Sequence, residues 1–112
     1  MQSDSFQFNA ELPWEDLGNG LKRQMFGYDK HLMMLKIKFE QGAIGAAHRH
    51  PHSQATYIES GVFDMTISGV TKRLKAGDGY FVPSEAVHGI VCIEAGMLVD
   101  VFSPHREDFL AK

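Results

Sequence analysis

The sequence predicts an all-β fold, an antiparallel sandwich or barrel followed by a short C-terminal helix. Three observations indicate it: short stretches in which apolar and polar residues alternate, glycine-containing turns between them at roughly even spacing, and a Ser-Pro pair that opens the last segment. The chain has 112 residues, of which 44% are hydrophobic and 22% are charged. This length and composition are ordinary for a globular protein, so we expect residues 1–112 to form a single domain.

The N-terminal part of the chain is the least regular. Residues 5–8 predict a short edge strand, whereas residues 13–17 have the composition of a turn that ends at Gly18, Asn19 and Gly20. The single tryptophan, Trp14, lies within that predicted turn, and we expect it to cover one end of the core.

The strand pattern becomes clear from residue 32 onwards. Residues 32–40 alternate between an apolar set and a charged set, which is typical of a strand with one buried and one solvated face; the apolar set is Leu35, Ile37 and Phe39, and the charged set is Lys36, Lys38 and Glu40. Two further strands are predicted over residues 54–59 and 62–68, with a turn at residues 60–61 between them. The second of these places three apolar side chains on one face, namely Phe63, Met65 and Ile67.

The remaining predicted elements complete the sheet and add the helix. Strands are predicted at residues 70–74, 80–82, 87–93 and 97–102, with a turn over residues 94–96. Pro83 ends the strand before it, because proline has no N–H to donate to a sheet. Ser103 is a favourable N-cap and Pro104 suits the first helical position, so a helix of one or two turns is predicted over residues 105–110.

Charge and composition exclude several functions. The net charge of −3 gives no basic surface for phosphates, so nucleic acid is not an expected partner. The only cysteine, Cys92, excludes an internal disulfide and a thiolate metal site. The N-terminus lacks the basic and apolar regions of a signal peptide, and no apolar run approaches the ~20 residues that span a bilayer. We therefore expect a cytoplasmic protein without membrane contact.

The histidines indicate a metal site. His48, His50 and His52 occupy alternate positions, and His88 follows later in the chain. On an extended strand, alternate side chains point to the same face, so the first three imidazoles are predicted to lie together. Imidazole and amide donors without a thiolate suit one divalent transition metal, such as Zn, Ni, Mn, Fe or Co. Three or four protein ligands would leave positions for water or substrate.

The spacing of these residues resembles the two motifs of the cupin family. Gly42, His48, His50, Gln54 and Gly61 match the first motif in order and separation. The second motif is similar to the run that contains Gly77, Pro83 and His88. The resemblance implies an antiparallel jelly-roll barrel with four inward-facing metal ligands, which by position are His48, His50, Gln54 and His88.

Some positions depart from the cupin pattern. Gln54 stands where the family usually has glutamate, Glu85 where it has glycine, and Cys92 where it has asparagine. An amide keeps an oxygen donor but removes a negative charge, and it cannot serve as a base. His52 matches no ligand position, which leaves two interpretations: a surface or structural residue, or one that lines the pocket or supports a ligand.

Asp100 is the best candidate for a catalytic base. It interrupts the apolar run 97–102 and shares a strand face with Leu98 and Phe102. A buried carboxylate is costly unless it is paired or functional. The alternative is that Asp100 pairs with Arg106 or with a backbone group.

The C-terminal run resembles a narrower group, the small cupins of pectin and alginate breakdown. These cupins carry an Asp-x-Phe-x-x-x-Arg signature, matched here by Asp100, Phe102 and Arg106. The resemblance implies that these three residues line an active site, with Asp100 as acid and base and Arg106 as a carboxylate clamp. It also implies the reaction, the metal-dependent linearisation of 4,5-unsaturated monouronates to 5-keto-4-deoxyuronate, with a sugar acid as substrate.

Two other functions remain open at this point. One is a metal-dependent cupin dioxygenase, and the other is a cupin that binds a sugar or a metal without catalysis. Sugar-sensing cupins are usually fused to a DNA-binding helical domain, and no helix-turn-helix pattern is visible in this sequence. The resemblance also implies a homodimer, since a small sandwich has exposed sheet edges and faces to cover.

Overall fold

The computed structural model describes residues 1–110, and within that range it has eight β-strands and one short α-helix. A 3-10 turn at Asn9–Glu11 precedes the first strand. The strands are β1 (Trp14–Gly18), β2 (Leu21–Tyr28), β3 (Met33–Phe39), β4 (Ile44–His48), β5 (Ser53–Ile67), β6 (Val70–Lys75), β7 (Gly79–Val82) and β8 (His88–Ser103), and the helix is α1 (Glu107–Leu110). No helix in the described range is long and apolar enough to span a membrane.

All the strand pairings are antiparallel. The main path runs β1-β2-β3-β8-β5-β6, while β4 pairs with β8 and β7 pairs with β5. The two longest strands, β5 and β8, therefore form the centre of the fold and connect both halves of the sandwich. The predicted all-β jelly roll with a short C-terminal helix is confirmed.

The turns predicted at residues 60–61 and 94–96 are wrong, because both segments lie inside the long strands. They face each other, and the β5–β8 register shifts between Ile58 and Phe63. A Cβ on Gly61 would lie 2.7 Å from the carbonyl oxygen of Glu94, and a Cβ on Gly96 would collide with the carbonyl of Ser60. Glycine thus allows two bulged, paired backbones to approach more closely than a side chain would permit.

The N-terminal predictions need correction. Residues 5–8 form no strand. The N-terminal segment instead contacts β2 through Ser3, whose backbone N–H donates to the Tyr28 carbonyl at 2.9 Å. Residues 14–17 lie in β1 because β2 supplies a pairing partner. Of the predicted turn, only Asn19 and Gly20 form a turn, since Gly18 is the last residue of β1. Trp14 is half-buried on β1, 4.9 Å from the ammonium of Lys38, and it lies outside the core clusters described below.

The C-terminal helix begins later than predicted. Ser103 is the last residue of β8 and still pairs with Ser53, so it is not an N-cap. The helix starts at Glu107 and has only four residues. In the intervening segment, the backbone N–H of His105 donates to the Lys30 carbonyl at 3.4 Å.

The core forms two clusters between the sheets. The larger contains Phe39, Ile58, Phe63 and Leu98, and the smaller contains Met33, Leu35 and Phe102. Burial of each such side chain contributes ~1.5–3 kcal/mol. The predicted inward faces are confirmed, since Leu35, Phe39, Phe63 and Met65 are all buried.

Strand register places the polar residues of the interior in two adjacent rows. Directly opposed residues of an antiparallel sheet point to the same side. One inward row contains Met25, Leu35, Asp100, Thr56 and Tyr80. The next contains Met33, Phe102, Gln54 and Val82. The carboxyl of Asp100 and the amide of Gln54 therefore become neighbours in the interior.

The close approach of β5 and β8 at Gly61 provides a stability test. Gly61→Ala should lower the free energy of unfolding by about 2–4 kcal/mol, because it adds a backbone clash to a positive φ. Gly69→Ala is the matched control: Gly69 has a similar φ of +82° but no atom within 4 Å of an added Cβ. Its cost should stay near ~1–2 kcal/mol. Equal losses for both variants in chemical denaturation would contradict the close approach of the two backbones at Gly61.

Candidate metal centre and active site

Three histidines converge at one end of the sandwich. His48 ends β4, His88 begins β8 directly opposite it, and His50 follows in the loop between β4 and β5. Their candidate ligand atoms all lie within 4.8 Å of one another, with His50 and His88 buried and His48 exposed. The predicted strand through all three early histidines is wrong, because β4 ends at His48 and His50 and His52 lie in the loop. Pairing with β8 stops at His48, three residues before Pro51.

The hydrogen bonds of these histidines fix their tautomers. Nδ1 of His48 donates to the Ala46 carbonyl at 2.9 Å, and Nδ1 of His88 donates to the Ala86 carbonyl at 2.9 Å. Nδ1 of His50 donates to a carbonyl oxygen too, that of His52, at 3.0 Å. A carbonyl oxygen only accepts, so each Nδ1 carries the hydrogen and each Nε2 keeps a lone pair.

Electrostatics keep the buried imidazoles neutral. Burial lowers the pKa of His50, and the nearby Arg106 charge lowers it further. Burial also lowers the pKa of His88, with smaller contributions from the other two histidines and from Arg106. Neutral imidazole is the form that binds a metal, so these side chains are in the state that a metal site needs.

Gln54 supplies an oxygen to the same cluster. It is buried on β5, and its Oε1 lies 3.2 Å from Nε2 of His50. Both atoms are acceptors, since the hydrogen of His50 is on Nδ1, and two facing lone pairs are stabilised by a cation between them. Two ligands ~2.1 Å from a metal and at right angles to each other would be ~3 Å apart. The four residues therefore fit a divalent transition metal, and their chemistry does not choose among Zn, Ni, Mn, Fe and Co.

Asp100 lies one hydrogen bond from this cluster. Its Oδ1 accepts from Thr56 Oγ1 at 2.5 Å and from Gln54 Nε2 at 3.2 Å, so its partners are these two side chains and not Arg106. Burial raises the pKa of Asp100 to about 6, although the hydrogen bonds from Thr56 and Gln54 and the charge of Arg106 act in the opposite direction. Both hydrogen bonds go to Oδ1, which leaves Oδ2 for a proton or a substrate.

Phe102 and Arg106 border the same region. The Phe102 ring centroid lies 5.7 Å from that of His50, and the Arg106 guanidinium lies 5.2 Å above the Phe102 ring. Arg106 also stacks on Phe109 at 4.2 Å. Its Nε and Nη2 donate to the Asp108 carboxylate at 3.0 and 2.8 Å, so the guanidinium is held on one side while Nη1 remains for another acceptor.

The sequence alone does not identify Thr56 or Tyr80 as residues near the site, and it leaves the position of His52 open. Thr56 follows Gln54 by two positions on the same strand, so strand alternation was the signal that would have found it. Tyr80 is half-buried beside Thr56 and Asp100, and both burial and the Asp100 charge raise its pKa, so the phenol stays protonated. Strand register alone brings Tyr80 there. His52 contacts His50 through its backbone carbonyl, while its own ring is half-buried and lies 5.5 Å from the His50 ring.

Comparison with known proteins agrees with this architecture. Residues 35–102 match the Cupin domain family. The chain is 44% identical over 102 residues to Pectin degradation protein KdgF of Dickeya dadantii (strain 3937), which covers 89% of this chain and 93% of that protein. The crystal structure of an RmlC-like cupin from Shewanella frigidimarina NCIMB 400 superimposes with a TM-score of 0.95 at 50% identity, over 96% of this chain and 97% of the other. KdgF from Halomonas sp. superimposes with a TM-score of 0.91 at 35% identity, over 96% and 99% of the two chains. The chain belongs to the cupin family.

Proposed function

We propose that this cupin is a metal-dependent enzyme that opens the ring of 4,5-unsaturated monouronates to 5-keto-4-deoxyuronate during pectin or alginate breakdown. The observation that carries the proposal is the buried Asp100 carboxyl, hydrogen-bonded at 3.2 Å to Gln54, whose other end faces the three histidines. Similarity to Pectin degradation protein KdgF supports the substrate class.

The chemistry requires one proton acceptor that becomes a proton donor. The substrate is a cyclic hemiacetal whose ring oxygen is attached to an enol carbon. Asp100 Oδ2 takes the proton of the anomeric hydroxyl, the bond from the anomeric carbon to the ring oxygen breaks, and an aldehyde and an enolate result. Return of the proton to carbon 4 gives the ketone, so the reaction is an isomerisation without an oxidant. A carboxyl whose pKa is about 6 is well matched to this exchange near neutral pH.

The other residues bind and orient the substrate. Arg106 pairs with the substrate carboxylate through the donors that Asp108 does not use, and Phe102 forms an apolar wall against the sugar ring. Bound by His48, His50, Gln54 and His88, a divalent metal would act as a Lewis acid toward the substrate oxygens. The buried Leu35 and Phe102 exclude water from Asp100, which strengthens each of these polar contacts.

A homodimer is the assembly that we propose. The sheet face opposite the site has an apolar row, in which Met34, Val101, Ala55 and Phe81 are aligned by register. Two aromatic residues on this face are more than half exposed, Tyr57 at 53% and Phe81 at 59%. Contiguous apolar surface of this kind favours a second copy of the chain as its cover.

The first test of function is the loss of the conjugated alkene. Purified protein should accelerate the decrease in ultraviolet absorbance of the unsaturated monouronate, and Asp100→Asn should lower kcat by ~10²–10⁴-fold, the usual contribution of a general acid or base. Asp64→Asn is the control, because Asp64 pairs with Arg73 at 2.8 Å away from the site.

Each other result contradicts a stated part of the proposal. An unchanged rate in Asp100→Asn would show that the base is another group. Oxygen consumption in an oxygen electrode would favour the dioxygenase, and tight uronate binding without turnover would favour a binding protein.

The second test concerns the metal ligands. Elemental analysis of the purified protein should find about one divalent transition metal per chain. His88→Ala should weaken metal binding by more than ~100-fold, because removal of residues that merely orient a ligand already costs ~10–100-fold. His31→Ala, at an exposed turn, should leave metal binding unchanged. Retention of the metal by His88→Ala would exclude His88 as a ligand.

The third test concerns assembly. Light scattering should give the mass of a dimer for the wild-type chain and of a monomer for Phe81→Asp, because a charge would be buried on the apolar face. Val70→Asp is the matched control, since Val70 is 58% exposed at the Ser68-Gly69 turn, away from that row. A wild-type monomer, or dissociation by both variants, would contradict the proposed interface.

A further inference from the structure

We infer that Thr56 is a positioning residue that fixes the direction of the Gln54 amide, so that the amide oxygen faces the three histidines. Its effect on turnover rests on the proposed function, whereas its effect on metal binding does not. Thr56 is buried on β5, two residues after Gln54 and on the same face. Its hydroxyl touches both Gln54 and Asp100.

The hydrogen-bond directions around Thr56 follow from the number of hydrogens available. The hydroxyl has one hydrogen, and a carboxylate oxygen can only accept. Thr56 Oγ1 therefore donates to Asp100 Oδ1 at 2.5 Å and has only lone pairs left for Gln54. Gln54 meets those lone pairs with its Nε2 at 3.1 Å, and the same nitrogen donates to Asp100 Oδ1 at 3.2 Å.

The reversed amide would lose both of these contacts. Its oxygen would face the lone pairs of Thr56 Oγ1 and the carboxylate oxygen of Asp100, at 3.1 and 3.2 Å. Its N–H would then point at His50 Nε2 and donate to the lone pair that a metal needs. The reversed amide would thus satisfy His50 by a hydrogen bond, but it would block the lone pair that a metal needs. Thr56 and Asp100 together disfavour this orientation.

The surroundings of Thr56 exclude water from these hydrogen bonds. Tyr80 lies opposite Thr56 in the β5–β7 register, is half-buried and shares a hydrogen bond with the Thr56 side chain. Gln54 and Asp100 are each less than one-tenth exposed. Water has little access to replace a lost partner, so removal of the hydroxyl should take away one of the two contacts that oppose the reversed amide and make that orientation more populated.

The test compares variants that keep or remove this one hydroxyl. Thr56→Val removes it at nearly constant volume, and Thr56→Ser retains it. Thr66→Val is the matched control on the same strand, because the Thr66 hydroxyl pairs with Thr71 at 2.7 Å at the exposed far end of β5. The full chain is stripped of metal, and Zn²⁺ affinity is measured by competition with a chromophoric chelator.

The expected result is a selective loss of metal affinity. Thr56→Val should bind Zn²⁺ ~10–100-fold more weakly than the wild type, as for other residues that orient a ligand. Thr56→Ser and Thr66→Val should stay close to the wild type. Zn²⁺ affinity of Thr56→Val equal to that of the wild type would overturn the inference. Circular dichroism checks folding, and Thr56→Ala carries the same test if Thr56→Val does not fold.

Turnover separates this inference from the proposed function. With the unsaturated monouronate and saturating Zn²⁺, Thr56→Val should lower kcat more than it changes KM, and Thr56→Ser should restore kcat. If the wild type has no activity but the Zn²⁺ affinities follow the expected order, the proposed function fails and the role of Thr56 stands. If the wild type is active and Thr56→Val binds Zn²⁺ normally, only the role of Thr56 fails.

Discussion

The hydrogen bond from Gln54 Nε2 to Asp100 Oδ1, 3.2 Å long, is the contact on which the whole site depends. A primary amide is a donor at one end and an acceptor at the other, so it can satisfy a carboxylate and a cation at the same time. Glutamate at this position would set two carboxylates side by side in the interior, where like charges cannot both remain ionised. Because position 54 holds glutamine and not the glutamate that is usual in cupins, an ionised Asp100 can lie close to the histidines.

The fold makes that contact by bringing two rows of side chains together. Gln54 and Phe102 belong to one inward row, and Asp100 and Thr56 belong to the next. Both rows depend on the continuity of β5 and β8 through their glycine-containing bends. The same apolar residues that stabilise the core, Leu35 and Phe102 among them, also desolvate Asp100 and raise its pKa. Stability and the chemistry of the site thus arise from one set of packing contacts.

The sequence was sufficient for the fold class and for the inward direction of most side chains, because alternation on a strand is a local property. Alternation also predicts Asp100 as an internal carboxylate, and it is buried. Long-range register is not a local property: Gly61 and Gly96 resemble turn residues in the sequence, and only the pairing of β5 with β8 brings their backbones into close contact. The contact of Tyr80 with Thr56 depends on the pairing of β5 with β7. The hydrogen bonds from Arg106 to Asp108 depend on where the helix begins.

Charge explains why an anionic substrate suits this site in a chain whose net charge is −3. The candidate ligands are three imidazoles and an amide, all neutral, so they would leave the full charge of a bound cation uncompensated. Arg106 adds a second cation, and its side chain is only 13% exposed, so solvent screens it weakly. Asp108 offsets part of that charge but also orients the guanidinium. A glutamate ligand would weaken the attraction for a carboxylate, so the amide of Gln54 favours both the proposed role of Asp100 as a base and the proposed binding of a sugar acid.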